Sequence, residues 1–174
     1  MDRLWAPWRL AYITATKQPL PDSGSDCFLC HAVRDTHDRD NLLLGRTARS
    51  VVVLNRFPYN NGHLLVAPVA HKATLAELSD DELLDLQVTL RKLVGILEKR
   101  MTPAGFNIGL NLGRVAGAGL PGHLHWHLVP RWNGDTNFMP VVADTRVISQ
   151  SLEALYDMLA DDCRRVLAAA AVAS

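Results

Sequence analysis

The sequence predicts an α+β domain in which an antiparallel sheet carries a long helix and a C-terminal helix. Three observations lead to that class. Residues 105–112 and 123–128 alternate in side-chain character at period two, the signature of strands with two unlike faces. Residues 50–55 and 63–68 are short runs rich in β-branched and aliphatic residues. Two longer stretches, 83–97 and 152–167, repeat apolar residues at three- and four-residue intervals, as helices with one buried stripe do.

A chain of 174 residues, 48% of them hydrophobic, can bury one sizeable core without disulfides. The expected organisation is an irregular arm over residues 1–26, with Trp5 and Trp8 packing on the body or on a partner chain, and a single domain over residues 27–174. Eighteen basic residues balance eighteen acidic ones. No net positive field exists to hold a nucleic acid by counterion release, so a small anionic ligand fits better. The apolar stretch 166–173 is far shorter than the roughly 20 residues that span a bilayer. Asp2, Arg3 and Arg9 interrupt the N-terminus, so neither a membrane segment nor an export signal is expected. Three cysteines, two of them three positions apart, suit metal or redox chemistry in a reducing cytoplasm rather than a disulfide framework.

In chain order, residues 35–41 have loop composition and Ser50-Val51-Val52-Val53-Leu54-Asn55 reads as a buried strand. A turn over 58–62 leads into His63-Leu64-Leu65-Val66-Ala67-Pro68, a strand stopped by its proline. Ser79-Asp80-Asp81-Glu82 is a capping box, and the helix it starts should run to about Arg100. In 105–112, Phe106, Ile108, Leu110 and Leu112 share one face, and Asn107, Gly109 and Asn111 leave the other polar and uncrowded. After the glycine-rich stretch 113–122, His123, His125 and His127 fall on one face of a strand, with Leu124, Trp126 and Leu128 on its reverse. These two strands are expected to be neighbours. A last helix over 149–170 places Cys163 on its apolar stripe as a core residue.

Three histidines at two-residue spacing are costly as filling for a face that aliphatic residues would occupy at lower cost. Imidazole titrates near neutral pH and can attack, donate a proton or bind metal, so the cluster reads as a reaction centre. Cys27-Phe28-Leu29-Cys30 has the spacing of half a tetrahedral zinc site, with a reduced unmetallated pair or a redox CxxC as the alternatives. Gly117, Gly119 and Gly122 would let backbone N–H groups approach phosphate oxygens, although such glycines also simply reverse a chain.

The run His123-Leu124-His125-Trp126-His127-Leu128-Val129 resembles the His-φ-His-φ-His-φ-φ signature, φ being apolar, of the histidine triad superfamily. Asn55 with Asn61-Gly62-His63-Leu64-Leu65-Val66-Ala67-Pro68 resembles its upstream strand pair, and residues 107–113 resemble the strand before the triad, so the likeness spans about residues 27–132. The resemblance implies an HIT-like fold and a two-step displacement in which His125 becomes nucleotidylated before an acceptor releases the nucleotide. It implies that His127 binds phosphate or protonates the leaving group and that His63 lines the same site. It nominates Asn55 for the ribose hydroxyls and Asn111 for the phosphate side, against the plainer possibility that both asparagines cap strand ends. By likeness to the zinc-containing branch, Cys27, Cys30, His71 and His123 form a structural Cys₂His₂ zinc set. Family members are usually homodimers.

Gly119-Leu120-Pro121-Gly122 departs from the polar pair that several branches carry just before the triad. Three readings stay open: a dinucleoside polyphosphate phosphorylase or hydrolase, a nucleoside phosphoramidate hydrolase, and a non-catalytic zinc-stabilised nucleotide-binding module. Residues 130–138 resemble the bacterial diadenosine tetraphosphate phosphorylases more than the phosphoramidate hydrolases. Arg114 and Arg131 are the basic residues nearest the triad in sequence, so the reading expects Arg131 to support an incoming phosphate.

Overall fold

The computed structural model describes residues 27–135 and 148–168. The expected N-terminal arm with Trp5 and Trp8, residues 136–138 and the last two residues of the expected C-terminal helix lie outside them. The elements are α1 (Phe28–Arg34), β1 (Leu43–Arg46), β2 (Ser50–Leu54), β3 (Leu64–Pro68), α2 (Asp80–Met101), β4 (Gly105–Leu110), β5 (Trp126–Arg131) and α3 (Leu152–Ala168). The five strands form one antiparallel sheet in the order β1-β2-β3-β5-β4, as the α+β expectation requires. The sequence-distant β3 and β5 are therefore neighbours at its centre.

Period-two alternation divides the side chains between two layers. Val52, Leu54, Leu64, Val66, Leu124, Trp126 and Leu128 meet Leu86, Leu90, Leu93 and Leu97 of α2 and Leu155, Leu159, Cys163 and Leu167 of α3 in the main core. The opposite face carries a smaller cluster in which Val51, Val53, Leu65 and Ala67 pack with Leu29, Ala32 and the two cysteines around α1. The large core anchors the sheet and leaves its other face to position chemistry.

α2 starts where its capping box predicts. Ser79 Oγ accepts the Glu82 N–H at 3.3 Å while Glu82 Oε2 accepts the Ser79 N–H at 2.7 Å, and three acidic residues occupy the positive end of the helix dipole. The helix ends at Met101, with Thr102 in the left-handed region at φ 45°. Just before β3, Gly62 has φ +73°, and a Cβ there would lie 2.8 Å from Met101 Sδ. The positive φ of the turn favours glycine, while the contact with the flexible end of Met101 could be relieved by its moving.

Several elements differ from the sequence reading. α1 was not expected, because seven residues are too few to show a helical period. β1 was not expected either. It is four residues long, preceded by Leu42 at φ 55°, and its pairing with β2 is irregular between Leu43 and Gly45. The ladder of β5 begins at Trp126, so His123 and His125 precede it, and β4 ends at Leu110 rather than Leu112. The alternation nevertheless continues through the unpaired residues, with Leu124 in the main core and His123 and His125 buried on the other face.

Candidate active site and metal centre

Two histidine clusters share the segment 123–127. At the first, Cys27 ends the chain before α1 and caps it, its Sγ accepting the Cys30 N–H at 3.5 Å, so the helix turn brings both sulfurs to one side. Cys27 Sγ and Cys30 Sγ lie 3.2 and 3.5 Å from His123 Nδ1, and Cys30 Sγ lies 3.2 Å from His71 Nδ1. All four ligand atoms fall within 4.8 Å of one another. A tetrahedral zinc with Zn–S near 2.3 Å and Zn–N near 2.0–2.1 Å separates sulfur from nitrogen by roughly 3.5 Å, which these distances match.

The proton placement also fits. His123 Nε2 donates to the Pro68 carbonyl at 2.9 Å, which leaves the Nδ1 lone pair facing the sulfurs. Burial, reinforced by the neighbouring Cys27, pushes the Cys30 thiol up to about 11, as expected of paired sulfurs that lack a compensating cation. Cys27, Cys30, His71 and His123 thus form a zinc site of the closed, structural kind. His71 is fixed from behind: Lys72 accepts the Leu124 N–H on its carbonyl at 2.7 Å, and its ammonium bonds both Glu82 oxygens at 2.6 and 2.8 Å. The Lys72 pair, followed by the Ser79 backbone bond, holds the Glu82 carboxyl down at about 2.

The second cluster holds His63, His125 and His127, with Tyr59 against it. His125 is 7% exposed and its Nδ1 donates to the His123 carbonyl at 2.8 Å, so in the neutral ring Nε2 keeps its lone pair. Burial lowers the His125 pKa against the raising effect of that bond. His127 lies in β5 opposite Leu65 of β3 and Gly109 of β4, with its ring centroid 5.1 Å from those of His125 and His63. His63 and His127 join through Nε2 and Nδ1 at 3.0 Å. Burial first, then the neighbouring imidazoles, lowers His63 to about 3 and His127 to about 4, so all three rings are neutral at physiological pH.

The approach to these rings is open on the β4 side. A Cβ at Gly109, across from His127, would meet nothing within 4 Å, as the uncrowded face of 105–112 predicts. Extending the β4–β5 register by one residue sets Asn111 level with His125. Gly119 is exposed and Gly122 is buried in the loop that delivers His123. Asn55 directly follows β2; its Oδ1 accepts the Phe57 N–H at 2.9 Å and its Nδ2 faces His63 Nδ1 at 3.2 Å.

Tyr59 escaped the sequence reading. Its ring centroid lies 4.7 Å from that of His63 and 5.5 Å from that of His127, and its backbone N–H donates to His63 Nδ1 at 3.0 Å. Its position four residues before His63, inside a tight turn, was the available signal. Arg131, expected to support an incoming phosphate, bonds both Asp135 oxygens at 2.6 and 2.8 Å and Asn107 Oδ1 at 2.7 Å. Trp132 donates its indole N–H to the Met101 carbonyl at 3.3 Å, which ties β5 to the end of α2.

A family model described as HIT domain matches residues 37–134. The chain is similar to the AP-4-A phosphorylase of Mycobacterium tuberculosis (strain ATCC 25618 / H37Rv), 36% identical over 97% of this chain and 83% of that protein. It is also similar to the adenosine 5'-monophosphoramidase of Schizosaccharomyces pombe, 33% identical over 62% of this chain and 75% of that one. The crystal structure of a Zn-bound histidine triad family protein from Mycobacterium smegmatis shares the fold with TM-score 0.63 at 21% identity, covering 87% of this chain and all of that one.

Proposed function

Since the chain belongs to the HIT domain family, we propose that it cleaves dinucleoside polyphosphates at the α-phosphate through a nucleotidyl-histidine intermediate. The observation that carries the reading is the His125 bond to the His123 carbonyl, which leaves Nε2 as a buried, unprotonated nucleophile beside two further neutral imidazoles. The near full-length likeness to an AP-4-A phosphorylase selects the substrate class.

With diadenosine tetraphosphate, Nε2 of His125 attacks the α-phosphorus, a P–N bond forms, and the bridging P–O bond breaks to release ATP. His127 donates a proton toward the departing oxygen. Asn55 still has one N–H and one lone pair for the ribose hydroxyls, while Asn111 and the backbone N–H groups of Gly119 and Gly122 hold phosphate oxygens. Inorganic phosphate then displaces the histidine to give ADP, or water does so to give AMP. When bound, zinc supplies a fixed charge and four bonds that hold α1, the His71 loop and His123 together.

The same proposal covers the working unit. Residues 27–174 act as one domain, and two copies pair along β4, the edge strand that exposes Ile108 at 50%. Among the described residues no helix is long and apolar enough to cross a membrane, and a reducing cytoplasm would keep Cys27 and Cys30 as thiols for metal.

Product analysis of diadenosine tetraphosphate with and without inorganic phosphate tests the reading. ADP plus ATP in phosphate marks a phosphorylase, and AMP plus ATP at a rate blind to phosphate marks a hydrolase. The likeness to the phosphoramidase favours adenosine 5'-phosphoramidate as the second substrate to assay. Turnover of that compound alone would overturn the dinucleotide reading.

A further inference from the structure

The hydrogen bonds around His63 determine where two protons sit. Asn55 Oδ1 is occupied by the Phe57 N–H at 2.9 Å, which fixes the amide orientation and turns Nδ2 toward His63 Nδ1 at 3.2 Å. The Tyr59 backbone N–H reaches the same Nδ1 at 3.0 Å. Both partners are donors, so His63 Nδ1 must accept and the hydrogen of the neutral ring lies on Nε2. That N–H points to His127 Nδ1 at 3.0 Å, which must in turn accept. His127 then carries its hydrogen on Nε2, an atom that is buried and has no hydrogen-bond partner among the described residues. A buried N–H without a partner is costly, so the fold retains a donor that a bound ligand would satisfy.

We infer that Asn55 is a positioning residue: with the Tyr59 backbone N–H it sets the tautomer of His63 and, through it, makes His127 present an N–H to the group that leaves the α-phosphorus. This goes beyond contact with a ribose, and only its kinetic part rests on the function proposed above. The arrangement is the mirror of His125, whose hydrogen is drawn to Nδ1 by the His123 carbonyl. Neighbouring rings of one segment thereby hold opposite tautomers, one exposing a lone pair and the other a proton. As its bond to phosphorus breaks, the departing oxygen or nitrogen accepts a hydrogen bond from that Nε2–H, and an amine leaving group takes the proton it also needs from water. His127 keeps its hydrogen and stays neutral, with Nδ1 still accepting from His63.

Two measurements on the zinc-loaded, nucleotide-free full chain test this. Two-bond ¹⁵N–¹H correlation spectra of histidine-labelled protein near pH 7.5 should show His63 and His127 as Nε2–H and His125 as Nδ1–H. An Nδ1–H form of His127 would overturn the inference whatever the enzyme's substrate proves to be. In Asn55→Ala, loss of one of two donors should admit Nδ1–H His63 into the spectrum. kcat for adenosine 5'-phosphoramidate, whose amine must be protonated to leave, should fall about 10²-fold. The 4-nitrophenyl ester of AMP shares the ribose contact but has a leaving group that needs no proton, so its kcat should fall at least about 10-fold less than that of the phosphoramidate. Equal losses on both substrates with an unchanged spectrum would assign Asn55 to the ribose alone and overturn its positioning role. The wild-type spectrum decides the tautomers even if the variant does not fold.

Discussion

His123 and His125 are two residues apart on one face of one segment, both buried, and both have one ring nitrogen donating to a backbone carbonyl. In His123 the donor is Nε2, bonded to Pro68, and Nδ1 is left for metal. In His125 the donor is Nδ1, bonded to His123 itself, and Nε2 is left for attack. The residue type is identical and the roles diverge because a different nitrogen is tied up. The metal end gathers two buried sulfurs, the buried His123 and the exposed His71 of a clamped loop, whereas the reaction end opens toward Gly109 and the loop of Gly119. On the proposed function this triad joins a metal ligand, His123, to a reactive pair, His125 and His127, and the two ends should respond differently to perturbation.

The sharpest contrast comes from His125→Asn. It removes the proposed nucleophile and leaves all four metal ligands in place, so turnover of diadenosine tetraphosphate should fall on the order of 10⁴-fold or more. Nucleotide binding by calorimetry and zinc content by elemental analysis should stay near wild type. A variant that keeps normal rates would break the division of roles.

At the other end, Cys27→Ala removes a zinc ligand and the cap of α1, so its effect should be on stability. Wild-type protein should contain one zinc per chain. The variant should lose about 3 kcal/mol or more, a fall in Tm of about 6–12 °C for a chain of this size. Substrate preference in the folded fraction should be unchanged. Stoichiometric metal-free wild-type protein of full thermal stability would sink the structural-zinc assignment.

The two ends were unequally legible in the sequence. The triad spacing, the capping box of α2 and the alternation of β4 and β5 are local patterns, so the sheet, the main helix and the reactive face could be read directly. The zinc set needed the resemblance, because Cys27, Cys30, His71 and His123 meet only after β3 and β5 pair across more than fifty residues of chain. Tyr59 and the Asn55 bond to His63 were hidden in a turn, where conformation rather than residue type decides which N–H points at a ring. The charge of Arg131 is visible in the sequence, whereas its pairing with Asp135 is not.

Acid should affect the reaction end through its buried imidazoles. His63 and His127 have folded pKa values near 3 and 4, below the ordinary 6.5, because burial disfavours their charged forms. The unfolded chain therefore binds more protons below pH 6.5. The stability these neutral rings contribute is complete above that pH and is lost as pH falls toward 4. Glu82, held near 2 by Lys72, contributes stability that is complete above its ordinary 4.5 and lost between there and about 2, so it acts in a lower window. Denaturant midpoints measured from pH 7.5 to 5 in saturating zinc should fall with pH, and less steeply in His127→Gln. Parallel slopes for the two proteins would show that the acid sensitivity lies elsewhere.

The smallest effect is expected from a residue on the histidines' strand that belongs to neither end. Arg131 lies four positions beyond His127 in β5, and sequence proximity alone would make it a phosphate receptor for the second step. Its guanidinium is instead committed to Asp135 and Asn107, and Asp135 also takes a hydrogen bond from Asn60 at 2.8 Å. Recruiting it to an incoming phosphate would break this partly exposed network and leave Asp135, whose pKa the Arg131 bond depresses most, without its cation. Arg131→Gln should therefore cost about 1 kcal/mol or less in stability, as partly exposed pairs do. It should change phosphorolysis and hydrolysis by the same factor, within about 3-fold. The check is the ADP to AMP product ratio of wild type and variant across a phosphate titration. A selective loss of ADP would return Arg131 to the acceptor site and extend the reaction end of the sheet by four residues along β5.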